Sequence, residues 1–565
     1  MMANPGGAGA GADHPGGGES PGVSTPVIDS NNQSSSKTGS TAHLPNPNPE
    51  GDALPLIRSL HERANSLSRS GGGSSSLRTR LNTAKRAVIT FGKFVGPGFM
   101  VAVAYIDPGN YATDVAAGAS YQFRLLFVVL LSNIFAIFLQ TLSIKLGTVS
   151  GLNLAEACRA FLPRWLNYLL YGMAEGAIIA TDIAEVIGTA IAINLLIPQI
   201  PLVAGCALSI LEVMLILVFY RPTGSIRGLR TFEYFVMGLV LAVVICFCIQ
   251  LSLIKETTSV GEVFRGYLPS RELIEQKALY QACGILGATV MPHSLYLGSG
   301  IVQARLYDFD VKSGLLPSPT PTSSESPTPP GETEGRGRRR GSGSNWSDDG
   351  PKGYIPSLDA IRHSLKYSVA ELALALFSFA LFVNSAILIV AGAALYNTPE
   401  AVDADLFGIH DLLAKSIAPI AGTVFALALL FSGVSAGIVC TIAGQMVSEG
   451  ALKWTIRPWL RRLITRSISI VPSIVIAAAV GREGLDAALN GSQVALSIVL
   501  PFITAPLIYF TSLDKFMMVR PGMARGAAVV KMANSWWVTC FGVVVWLIIT
   551  VMNVANLVLL GKDGS

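Results

Sequence analysis

Two apolar stretches, each long enough to cross a bilayer as a helix, are interrupted near the middle by a proline set among polar residues. One reads GPGFMVAVAYIDPGNYATDVAAGA, with Asp107, Pro108, Gly109 and Asn110 at its centre. The other reads QACGILGATVMPHSLYLGSG, with Met291, Pro292, His293 and Ser294 in the corresponding place. Proline has no backbone N–H and its ring crowds the preceding turn, so each helix should unwind there. Unwinding frees backbone carbonyls, including those of Ala104 and Ala288. Irregular backbone at membrane depth is tolerated only where it is buried in protein or lines a cavity. A chain with two such breaks therefore needs a helical bundle closed around a polar centre.

The remaining sequence supplies the bundle. Of 565 residues, 51% are hydrophobic and only 14% charged, against about 25% charged in a soluble domain. About 20 apolar residues span a bilayer. Eleven stretches qualify: 91–119, 124–147, 165–196, 201–220, 231–253, 278–306, 364–394, 413–448, 466–481, 490–512 and 533–560. The expected fold class is an all-α polytopic membrane protein. With a cytoplasmic N-terminus, the short inner loops hold fifteen Lys and Arg against eight outside, the bias that orients membrane proteins. Residues 1–83 and 309–357 are rich in Gly, Ser and Pro, and read as a disordered cytoplasmic tail and loop, with 84–565 the transmembrane domain. No signal-peptide pattern stands at Met1. The net charge of +5 is too small for a nucleic-acid partner, and the seven cysteines form no CxxC. The outer segment 396–412 is acidic, with Glu400, Asp403, Asp405 and Asp411.

The broken stretches are the first and sixth of eleven, five spans apart, the mark of a five-plus-five inverted repeat. Paired interruptions at corresponding places point to a transporter's binding site. Asp107 at mid-membrane costs roughly 2.5–3.5 kcal/mol on insertion scales and needs a cation or proton. Asn110 and the freed carbonyls add neutral oxygens. Met291 offers a thioether, which suits later transition metals rather than Mg²⁺ or Ca²⁺; taken alone, its chemistry fits packing as well as ligation. His293 is the only one of six histidines inside a span, and a proton acceptor or a structural histidine would each fit there.

The third span, YLLYGMAEGAIIATDIAEVIGTAIAINLL, carries Glu175, Asp182 and Glu185, the last two on one helix face. Arg461, Arg462 and Arg466 open the ninth span. Carboxylates and arginines in such a chain form either a proton route or a static ion-pair brace.

These motifs occur in a specific combination and order: DPGN, ATDIAEVIG, VMPHSLYLGS, TIAGQMVSEG, RRLITR and SQVALSIVLPF. Over residues 91–560 the chain resembles the NRAMP family of proton-coupled divalent metal transporters. The resemblance implies a LeuT-type inverted-repeat fold and import of Mn²⁺, Fe²⁺ and similar ions, with Cd²⁺, Co²⁺ and Zn²⁺ as further candidates, together with protons. It implies metal ligation by Asp107, Asn110 and Met291, joined in some states by the carbonyls of Ala104 or Ala288 and by Gln493. Proton handling falls to His293, Asp182, Glu185 and Glu175. Three features depart from the family pattern: Gly298 stands where many members have a second histidine, Val499 replaces a glutamine, and GVSAG in the eighth span is less polar.

The resemblance also implies no enzymatic activity and no resident cofactor, with the metal as substrate. The partners expected are metal ions, protons and lipid, and regulatory proteins at the tail and loop. The plasma membrane or an endosomal or vacuolar membrane is the expected location. A same-fold carrier of another solute would need Gly-rich breaks exposing amides to a carboxylate; Asp, Asn and Met select a cation instead. A metal-sensing receptor would need a long folded cytoplasmic domain, and a membrane enzyme a triad, an H-E-x-x-H or a phosphate-binding loop. The sequence offers none of these.

Overall fold

A computed structural model describes residues 96–218, 226–256, 258–315, 356–402, 404–452, 458–519 and 529–563. The expected tail and most of the expected Ser/Pro-rich loop lie outside the described residues. In chain order the helices are α1 (Pro97–Val103), α2 (Pro108–Tyr121), α3 (Leu126–Ser150), α4 (Leu154–Phe161), α5 (Arg164–Leu196), α6 (Leu202–Val218), α7 (Ile226–Leu253) and α8 (Val260–Gly266). There follow α9 (Gln276–Thr289), α10 (Pro292–Ile301), α11 (Gln303–Lys312), α12 (Leu358–Ala375), α13 (Leu381–Ala394), α14 (Pro399–Val402) and α15 (Leu406–Ser416). The last four are α16 (Pro419–Leu452), α17 (Pro458–Ala479), α18 (Arg482–Ser512) and α19 (Trp536–Asp563). Among the described residues eight helices, counting α9 to α11 and α12 to α13 each as one, are long and apolar enough to cross a bilayer. The first expected span falls short because its break divides it into α1 and α2.

Both breaks lie where proline dictates. α1 stops at Val103 and α2 restarts at Pro108, its N-terminus capped by the Asp107 carboxylate. α9 stops at Thr289 and α10 restarts at Pro292, with Met291 in extended conformation between them. Proline at the first helical position loses nothing, because that N–H has no partner inside the helix.

Three expectations need adjustment. The loop expected from residue 309 begins later, because α11 continues to Lys312. Its ends are pinned together: the Asp310 carboxylate accepts from the Ser357 amide at 2.9 Å and from its hydroxyl at 2.5 Å. The acidic segment 396–412 is not only loop. Asp405 caps a helix, α15, which separates residues 406–416 from the eighth span. Finally, Met518–Val519 and Val530–Lys531 form a two-residue antiparallel pair, β1 and β2, the only strands among the described residues.

The broken helices lie inside the bundle. α16 packs along α5 and α7, α18 along α5, and α13 along α2. Lipid gives helices no hydrophobic reason to associate, so close contact through small residues replaces it. Gly188 on α5 shows this: a β-carbon there would lie 2.3 Å from the Pro108 ring, so glycine lets α5 press directly on the break.

Candidate metal site

The site forms where the two breaks face each other. Asp107 is 1% exposed and Asn110 fully buried. The Asp107 carboxylate accepts from the backbone amides of Gly109 and Asn110, each at 3.2 Å, and from the Asn110 side-chain amide at 2.5 Å. Two carboxylate oxygens offer about four lone-pair directions, so three hydrogen bonds leave room for a cation. The same Asn110 amide lies 3.2 Å from the Tyr105 carbonyl and 3.3 Å from the Ala288 carbonyl, which belongs to the other break. Ala104 and Ala288 each stand four residues before a proline, so no helical N–H can reach their carbonyls. Both are thus available oxygens, and the structure brings the Ala288 oxygen to Asn110.

Gln493 joins them from α18. It is buried, its amide donates to the Ser492 hydroxyl at 3.1 Å, and its carbonyl oxygen has no hydrogen-bond partner. Its side chain lies directly on Gly109. Met291 is fully buried in a small apolar cluster with Ala177 of α5 and Leu496 of α18. Its backbone carbonyl accepts from the Ser294 hydroxyl at 2.7 Å.

The acidic residues of α5 are gathered beside this centre. Arg466 of α17, 1% exposed, forms an ion pair with Asp182 and a second, at 3.6 Å, with Glu185. Glu175 lines one cleft with Asp182, Cys440 and Arg466. Asp182, Glu185 and Cys440 hold ligand atoms within 4.8 Å of one another, but the Arg466 guanidinium already supplies the positive charge there. His293 connects break and acids: its Nδ1 lies 3.4 Å from the hydroxyl of Thr181, next to Asp182 in sequence. The side chains of Arg461 and Arg462 fall outside the described residues.

Several polar residues at the site escaped the sequence reading. Gln140 of α3 donates to the Ser294 hydroxyl at 2.8 Å and to the Tyr105 hydroxyl at 3.0 Å. A β-carbon on Gly298 would lie 2.2 Å from the Gln140 side-chain oxygen. The unusual Gly298 is therefore the space that Gln140 fills. Asn384 of α13 donates to the Tyr105 carbonyl and Ser432 of α16 to the Ile106 carbonyl, so both hold the unwound strand. Each lies in a predominantly apolar helix that carries other polar side chains as well, so polarity alone does not single it out.

The fold and site define a polytopic α-helical membrane protein with an anionic centre between two interrupted helices. Residues 98–559 match the family described as Natural resistance-associated macrophage protein-like, and the chain belongs to that family. It is 49% identical over 506 residues to the manganese transporter SMF1 of Saccharomyces cerevisiae, covering 83% of this chain and 86% of that one. It is 47% identical over 497 residues to the iron transporter SMF3 of the same yeast, covering 84% and 97%. A crystal structure of the Eremococcus coleocola manganese transporter shares the fold, with a TM-score of 0.64 and 30% identity, covering 81% of this chain and 85% of that chain.

Proposed function

We propose that this chain is a secondary transporter that moves divalent transition-metal ions, Mn²⁺ and Fe²⁺ foremost, with protons and by alternating access. The observation that carries the reading is the Asn110 amide, which bridges the Asp107 carboxylate and the Ala288 carbonyl and so joins the two breaks at one point. An anionic oxygen, an amide and freed carbonyls form a donor set for a cation rather than for a carboxylate-bearing solute. The match covers 86% of the manganese transporter and 97% of the iron transporter that it resembles.

Ligation by Asp107, Asn110 and the carbonyls of Ala104 and Ala288, with Met291 and Gln493 completing the set, is part of this reading. A proton route through His293, Thr181, Asp182, Glu185 and Arg466, with Glu175 at its cleft, is another part. So are eleven spans with the N-terminus cytoplasmic, a cytoplasmic tail over residues 1–83 and a cytoplasmic loop before α12. The membrane is the plasma membrane or an endosomal or vacuolar one. The chain carries its metal as substrate and catalyses no covalent chemistry.

The test is uptake of Mn²⁺, Fe²⁺, Cd²⁺, Mg²⁺ and Ca²⁺ by purified protein in liposomes, with and without a proton gradient. Uptake of the first three, enhanced by an inward gradient, is expected. Equal uptake of Ca²⁺, or indifference to the gradient, overturns the reading.

A further inference from the structure

Asp114 lies seven residues after Asp107, two turns along α2 and about 10 Å further on. Seven residues are close to two full turns, so Asp107, Asn110 and Asp114 share one helix face. Asp114 is fully buried, and neither of its carboxylate oxygens has a hydrogen-bond partner. It takes part in no ion pair among the described residues. Charged residues do occur on elements packed against α2: Lys277 on α9, Arg164, Glu175, Asp182 and Glu185 on α5, Glu400 on α14, Glu449 on α16 and Arg482 on α18. None is joined to Asp114 by a salt bridge.

A buried carboxylate without a partner is costly unless a proton or cation accompanies it. α2 leads away from the break towards the outer side of the proposed topology. α14, in the acidic segment expected on that side, packs against α2. We propose that Asp114 is a second cation subsite, in series with Asp107, which receives a partly hydrated divalent ion on its way to the break. This rests on the transport reading above and adds an outer stage to it. A carboxylate oxygen binds Mn²⁺ without a soft donor, so the subsite raises the local concentration of divalent ions and leaves selection to the break.

Two measurements test it, both with Mn²⁺. In liposomes, Asp114→Asn should raise the half-saturating Mn²⁺ concentration about tenfold, the change that ~1.4 kcal/mol of lost attraction produces, with little effect on the maximal rate. In calorimetry on purified protein, Asp107→Asn should retain a weaker Mn²⁺ isotherm that disappears in the Asp107→Asn, Asp114→Asn double variant. If Asp114→Asn does not fold, Asp114→Ser takes its place in both measurements. A parental half-saturation in Asp114→Asn overturns the proposal, as does Asp107→Asn protein that binds no Mn²⁺. Parental protein that binds Mn²⁺ at two stages but moves none overturns the transport reading and leaves the subsite standing.

Discussion

Gly109 of the first break and Gln493 of α18 are in direct contact: a β-carbon on Gly109 would lie 2.0 Å from the Gln493 amide nitrogen. Gly109 also donates its amide to Asp107, so the contact bears on the carboxylate proposed to hold the metal. Gly109→Ala should push Gln493 aside, cost about 1–3 kcal/mol as overpacking does, and slow Mn²⁺ uptake. Adding Gln493→Ala removes the obstruction and should restore the thermal midpoint. It should not restore uptake if Gln493 ligates the ion in one state. Full recovery of uptake in the double variant would assign Gln493 to packing.

Met291 is embedded among Ala177 and Leu496 and also stands at the second break. Met291→Ala should therefore have two effects. The cavity should cost about 2–5 kcal/mol of stability. Loss of the thioether should weaken Cd²⁺ and Mn²⁺ uptake and relax the exclusion of Ca²⁺, since a hard ion gains nothing from sulfur. Lowered stability with Ca²⁺ still excluded would leave Met291 as packing alone.

Arg466 reaches both Asp182 and Glu185, which permits either a relay or a brace. Asp182→Asn leaves Glu185 to hold the guanidinium, so the protein should stay folded and Mn²⁺ binding should remain measurable. Proton flux through liposomes, followed with a pH-sensitive dye, should fall. Unchanged flux in both Asp182→Asn and Glu185→Gln would make the ion pairs a brace between α5 and α17.

The two breaks were legible in the sequence because a missing N–H is a property of proline itself, whatever surrounds it. The charge of Asp107 and the cluster of acids on α5 were legible for a similar reason: ionisable groups in apolar runs need compensation. What joins them was not. Asn110 reaches Ala288 across 178 positions of sequence, and Gln140 reaches Ser294 across 154. No spacing rule relates such pairs. The basic cluster that opens the ninth span could be seen, but which arginine meets the carboxylates depends on how α17 is turned against α5. Asp114 is not marked out by the sequence of the first span, because it lies beyond the break and its lack of hydrogen-bond partners is a tertiary fact.

Asp107 carries the decisive prediction. It is the full negative charge at the first break, and its hydrogen bonds with Gly109 and Asn110 hold its carboxylate in place before any ion arrives. A divalent cation entering a low-dielectric site must exchange its water for ligands that include a compensating charge. Asp107→Asn keeps an oxygen and nearly the same shape, so the helix cap survives in part and the protein should insert and fold. The lost charge should weaken Mn²⁺ binding by at least about a hundredfold, some 2.7 kcal/mol, and abolish uptake. Asn110→Ala removes one neutral donor and should cost less. Protonation of Asp107 has the same electrostatic consequence as the substitution, so parental affinity should decline as the pH falls through the pKa of this carboxylate. In Asp107→Asn the remaining binding should lose that part of its pH dependence. Isothermal calorimetry with Mn²⁺ across a pH series, on folded parental and variant protein, makes both comparisons. Parental affinity in Asp107→Asn would move the metal site away from the broken helices.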